Sequence, residues 1–176
     1  MSATIATKHV TLRPSTREDI PLRVRWLNDP AVTEFTGVDV GDTTIEVAEQ
    51  RQAERTWPDW IIEVEGRPIG CCTLRPDEAN QQASFGIVIG ERDCWDKGYG
   101  AGALREALRV AFEEMGLHRV HLYVFLGNTR GIRCYEKCGF RREGLHLKAH
   151  WKRGRWQDIV TMAVLREEWE REARDR

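Results

Sequence analysis

The stretch Trp95-Asp96-Lys97-Gly98-Tyr99-Gly100-Ala101-Gly102 stands between a β-type run, Ala83 to Ile89, and a strongly apolar helical pattern. A chain that passes from strand to helix across glycines brings its backbone close to whatever lies outside it. The first turn of a helix carries N–H groups without intrahelical partners and the positive end of the helix dipole. A diphosphate is held there with few cationic side chains, and Lys97 adds a point charge. The segment lacks the three-glycine spacing of a dinucleotide fingerprint and the Gly-Lys-Ser/Thr of a P-loop. Two glycines on their own favour a plain tight connection.

Period and punctuation give the elements around this junction. A strand is expected at His9 to Arg13, then a capping box at Ser15 and Glu18, with Ile20, Val24 and Leu27 on one helical face up to the stop at Asn28-Asp29-Pro30. Thr43 and Glu46 repeat the capping signal before a polar helix that runs toward Trp57 and Pro58 and reads as a cover. Trp60 to Val64 and Ile69 to Leu74 read as a hairpin, and Pro76 to Gln82 as a surface loop. After the glycine junction, Leu104, Ala107, Leu108, Ala111, Phe112 and Met115 mark the buried side of a helix that ends at Gly116. Arg119 to Phe125 is a strand, a loop at Gly127 and Asn128 leads to a short helix through Lys137 that Gly139 ends, and a long hairpin follows. Its arms are Phe140 to Ala149 and Gln157 to Leu165, turning around Lys152 to Gly154, with a charged tail behind. Clustered strands with helices between some of them argue for α+β.

Composition limits the function classes. A net charge of -1 supplies no general attraction to nucleic acid or an anionic membrane, and one domain covering residues 1–176 is expected. No secretory pattern is read at Met1 to Lys8 and no stretch reaches membrane-spanning length, so a cytoplasmic address is expected. Cys71, Cys72, Cys94, Cys134 and Cys138 form no CxxC pair and read as reduced, mostly buried thiols, with no metal site.

A second segment, Asn128-Thr129-Arg130-Gly131-Ile132-Arg133-Cys134-Tyr135-Glu136-Lys137-Cys138-Gly139-Phe140, follows the first. Together, Trp-x-Lys-Gly-Tyr-Gly and Asn-x-x-x-Ile-x-x-Tyr-Glu-Lys-x-Gly-Phe resemble the acetyl-CoA region of the GNAT superfamily, in the branch of ribosomal-protein N-terminal and spermidine-type acetyltransferases. The resemblance implies a mostly antiparallel mixed sheet of about six to seven strands flanked by about four helices. It also implies acetyl-CoA as cosubstrate and an amine as acceptor. Ile87, Val88 and Ile89 would line the pantetheine, with a backbone N–H polarising the thioester carbonyl. Trp95, Asp96, Lys97, Gly98, Tyr99, Gly100 and Ala101 would hold the diphosphate, Asn128 the pantetheine arm, and Gly131 and Ile132 would lie beside the cofactor. Tyr135 would protonate the departing thiolate; by itself it would read as a packed aromatic.

The acceptor's deprotonation is less determined. A lysine-like amine of pKa about 10.4 is about 0.1% neutral near neutral pH, at a cost of about 4 kcal/mol, whereas an α-amine near about 7.8 costs about 1. Many relatives carry a glutamate in the strand before the phosphate loop, where this chain has Ser84 and Phe85. Glu34 is the candidate base, directly or through water, and His118 and His121 are given no role. Expected partners are a small-molecule amine, such as a polyamine or amino sugar, or a protein N-terminus, with no membrane and no nucleic acid; a homodimer is the commonest of the open assembly states. The alternative is a non-catalytic acyl-CoA or RNA-binding module using the basic hairpin Arg141 to Arg155, with its Trp151 and Trp156.

Overall fold

Ile61 and Ile62 are neighbours on one strand and both are fully buried. Successive strand side chains point to opposite faces, so the sheet is covered on both sides at this point. The computed structural model describes residues 10–174. Its strands are β1 (Thr11–Pro14), β2 (Asp59–Val64), β3 (Arg67–Asp77), β4 (Gln82–Ile89), β5 (Arg119–Phe125), β6 (Arg141–Lys152) and β7 (Arg155–Leu165). They form one sheet in the order β1-β2-β3-β4-β5-β7-β6, antiparallel except where β4 meets β5. The expected α+β class holds. His9, read with the first strand, lies outside the described residues.

Among the described residues there are six α-helices, more than the four expected: α1 (Ile20–Leu27), α2 (Pro30–Thr33), α3 (Ile45–Ala53), α4 (Tyr99–Arg109), α5 (Thr129–Glu136) and α6 (Arg166–Arg174). The main core lies on the α4 face, where Leu104, Leu108 and Phe112 meet Ile62, Leu74, Leu122 and Met162. Burying one such side chain stabilises by about 1.5–3 kcal/mol. A smaller cluster on the opposite face joins Trp26 and Val32 to Ile61 and Cys71. The α4 helix continues as a π turn, Val110–Glu114, and stops at Gly116. None of the helices among the described residues is long and apolar enough to cross a membrane.

Several local expectations are corrected. The first capping box uses Thr16 and Asp19, not Ser15 and Glu18: the Thr16 N–H donates to Asp19 Oδ2 at 2.8 Å, with Asp19 held inward by Arg13 at 2.7 Å. Thr44, not Thr43, caps α3, which ends at Ala53, before Trp57. Trp26, rather than Leu27, anchors α1 in the core. Pro76 and Asp77 belong to β3, because β4 pairs with them regardless of side-chain polarity. The basic hairpin is longer than expected and turns at Arg153–Gly154. The charged tail is α6, whose Trp169 packs on Phe112 with ring centroids 5.4 Å apart.

Candidate functional site

Strands β4 and β5 are joined by only three parallel pairs, Gln82 with Arg119, Ala83 with Val120 and Ser84 with His121. Beyond them the two strands part, β4 staying paired to β3 as far as Ile89 and β5 to β7 as far as Phe125. The result is a seam with two inner edges that no ladder satisfies. Gly90 N–H donates to Ile69 O at 2.8 Å, so alternation turns the main chain of Val88 toward β3 and that of Phe85, Ile87 and Ile89 toward the seam. Ile87 and Ile89 therefore present their main chain to the seam and their side chains to the main core, while Val88 packs its side chain into the Trp26 cluster. Backbone amides in such a position need a polar partner, which an extended chain bearing amides of its own supplies.

Both parted strands lead into helix starts, and the two starts differ. Asn128 caps α5, its Oδ1 accepting from Gly131 N at 2.9 Å, and Ile132 is buried behind it. The α4 start has no side-chain cap: Gly98 holds φ +83°, and the first helical bond runs from Gly102 N to Gly98 O at 3.0 Å. A β-carbon at Gly98 would meet nothing within 4 Å, and one at Gly100 only Ile89 at 3.8 Å, so the turn borders open space. Trp95 fixes the loop by donating Nε1–H to Ile89 O at 2.9 Å; Asp96 and Lys97 are exposed beside it. Tyr99 and Ala101, in the first turn, pack partly against the main core. An anion at this turn meets main-chain donors and the helix dipole together.

Tyr135 lies on α5 with its ring 6.1 Å from that of Phe140, and it is partly buried. Burial, reinforced by the neighbouring Cys134 and Cys138 thiols, pushes its phenol well above the ordinary tyrosine value. The phenol keeps its proton at neutral pH, as an ordinary tyrosine does. Among the described residues its hydroxyl has no hydrogen-bond partner. None of the five cysteines forms a disulfide, and the Cys138 Sγ lies 3.9 Å from Ala101 O, which brings the end of α5 against the start of α4.

Glu34 is exposed at the end of α2, at the start of a strap formed by residues 34–40. Phe35 of that strap reaches the end of β5, where a β-carbon on Gly127 would sit 3.6 Å from its ring. The other end is tied to the hairpin: Lys152, only 2% exposed, donates to Thr36 O at 2.8 Å and Val38 O at 2.6 Å. Arg153 adds bonds to Pro30 O and Thr33 Oγ1, both at 3.2 Å. Arg141 and Arg142 pair with Glu168 and Glu136. Four of the hairpin's basic side chains are thus engaged within the fold. Trp151 and Trp156 stack edge-on, 5.0 Å apart, and remain half exposed.

Sequence reading missed two groups here. Arg130 lays its guanidinium 4.3 Å over the Trp95 ring and 3.8 Å from Asp96, clamping the loop before α4 to α5; only its position next to Asn128 hinted at this. His121, given no role, stands at the point where the seam opens, a placement set by long-range pairing.

Comparison with known proteins gives the family and the fold. A match to the acetyltransferase (GNAT) domain family runs over residues 9–141. The chain is 25% identical over 177 residues to an uncharacterized N-acetyltransferase, p20, of Bacillus licheniformis, covering 94% of this chain and 98% of that one. It is 30% identical over 90 residues to the spermidine N(1)-acetyltransferase of Vibrio cholerae, covering 51% of each. The crystal structure of spermidine N-acetyltransferase from Vibrio cholerae, in complex with CoA and spermine, superposes with a TM-score of 0.85 at 23% identity, over 92% of this chain and 98% of that chain. Because the family match takes in both parted strands and both helix starts, this acyltransferase belongs to the GNAT acetyltransferase family.

Proposed function

We propose that the chain transfers the acetyl group of acetyl-CoA to a primary amine by direct attack. The observation that carries this is the seam between β4 and β5, whose inner edges no ladder joins beyond Ser84 and His121. Trp95 and Asn128 close its far ends on Ile89 O and Phe125 O, and an uncapped α4 start stands beside it. The residues present fit this cosubstrate. A pantetheine arm carries two amides and matches the Phe85, Ile87 and Ile89 edge; a diphosphate matches the turn from Gly98 to Ala101. Asn128 has an amide NH2 left to donate once its Oδ1 caps α5. Acetyl-CoA supplies an activated thioester, and the chain's own groups do the remainder. A main-chain N–H on the seam edge polarises the carbonyl, and Tyr135 delivers a proton to the leaving sulfur. Glu34, exposed on the strap, meets the incoming ammonium.

The acceptor is a small amine of the polyamine or amino-sugar kind, or a protein N-terminus, and it enters over the strap and the Trp151–Trp156 pair. The RNA-binding alternative is weakened by the internal engagement of Arg141, Arg142, Lys152 and Arg153. A thiol-release assay with acetyl-CoA and an amine panel tests the reading. Turnover with at least one amine is expected, falling about a hundredfold or more in Tyr135→Phe with coenzyme A binding retained. If calorimetry detects no association with coenzyme A, the reading fails.

A further inference from the structure

We propose that His121 accepts the proton of the attacking amine, working from the point where β4 and β5 separate. The proposal rests on the acetyl-transfer reading above and assigns the base which that reading leaves open. His121 and Ser84 are the last paired residues before the seam opens. Val120 and Ala83, one step earlier, are fully buried on the α4 face, so alternation turns His121 and Ser84 to the opposite face. On β4 that is the face where Val88 meets Trp26, and on β5 it is the face where Tyr123 lies open and Phe125 is buried against His150. A group here stands beside the seam without being sealed behind α4.

The ring's own surroundings point the same way. Its Nδ1 is buried and has no hydrogen-bond partner among the described residues. A buried imidazole nitrogen left unpaired in a finished fold calls for an explanation, and a role in handling a proton supplies one. Tyr123 packs edge-on against it at 5.7 Å and lies open to solvent, offering a π face to an incoming ammonium. His146 follows at 6.3 Å from Tyr123, with Nε2 2.8 Å from Thr161 Oγ1.

The charged groups that face His121 are Arg119 on its own strand, Glu143 on β6 and Asp77 at the end of β3. Arg119 and Glu143 largely cancel each other in a two-pronged ion pair at 2.6 and 2.5 Å. Burial first, and Arg119 second, push the imidazole below its ordinary value, while Glu143 and Asp77 pull it up. The ring is therefore neutral at pH 7 and able to accept a proton. In the transfer, the nitrogen–carbon bond forms and the carbon–sulfur bond breaks. The ammonium gives up two protons overall. One passes to His121 and on to solvent; the sulfur takes a proton from Tyr135, whose phenol is restored from the second.

The test compares wild type with His121→Gln and with the double variant His121→Gln, Ser84→Glu. In the double variant a carboxylate stands on the neighbouring register position and the same face. Expected for His121→Gln is a fall in kcat of about a hundredfold, with unchanged coenzyme A affinity by calorimetry and loss of the acidic limb of kcat against pH. The double variant should recover at least about tenfold of that loss, with the limb restored and moved toward the carboxylate range near about 4.3. A His121→Gln enzyme within about threefold of wild type overturns this proposal alone. So does an equal loss at every pH that the carboxylate fails to rescue, since that marks a structural role. Absence of turnover in wild type with every amine overturns the transfer reading as well.

Discussion

The β1–β4 half of the sheet and the β5–β7–β6 half are built differently. In the first, α1 covers one face and α4 the other, and Ile61 and Ile62 are sealed on opposite sides of one strand. Its polar groups are locked too: Arg23 and Arg55 both bind Asp59, and Arg13 bridges Asp19 and Glu63. In the second half the α4 side is packed, but β6 is exposed on both faces from Arg141 to Ala149, with Leu147 71% accessible and Tyr123 of β5 62%. The difference teaches where each property resides. Helix cover on both faces belongs to the first half and exposed surface is concentrated in the second, and the proposed chemistry lies at the weakly joined seam between them.

Substitutions can break this division if it is wrong. The largest stability effect is expected from Asp59→Ala, which leaves Arg23 and Arg55 buried without their shared carboxylate; a loss of about 3–5 kcal/mol should appear in chemical denaturation. Next comes Gly90→Ala. Its new β-carbon would stand 2.0 Å from the Trp26 ring, which is itself fixed by a 2.8 Å bond to Glu91, and overpacking of this kind costs about 1–3 kcal/mol.

Acid titration probes the same half. Arg13 holds the Asp19 carboxyl at about 2, below its ordinary 3.8, and Thr16 reinforces it. A depressed carboxyl stabilises the fold above its unfolded value, so about 2 kcal/mol should be lost as pH falls from about 4 toward about 2. Asp19→Asn should flatten that part of the curve. The smallest effect is expected in the second half, where Leu147→Ser should shift stability by no more than about 0.5 kcal/mol. A loss several times larger would show that β6 is covered in solution.

What the sequence made legible follows the range of the interactions involved. The glycine junction before α4, the buried stripe from Leu104 to Phe112 and the strand Arg119 to Phe125 are encoded in nearest neighbours and short periods, and all stand where they were read. Caps slipped by one residue at Thr16 and Thr44, because adjacent hydroxyls compete for one role and tertiary partners such as Arg13 decide. Charge concealed α6, whose single large apolar anchor is Trp169. The seam left no local mark to read: three parallel pairs join strands on either side of α4. Lys152 was read within a basic hairpin tip, yet its carbonyl partner Thr36 lies 116 positions away.

That buried lysine limits how this enzyme can be redesigned. Its ammonium is held by the chain's own carbonyls at Thr36 and Val38 and by the Asp39 carboxylate at 3.1 Å, so replacing residues 34–40 with a loop of another path strands a buried charge. Anyone exchanging the strap would have to transplant loop and hairpin tip as a single cassette, and natural divergence in one should drag the other along with it.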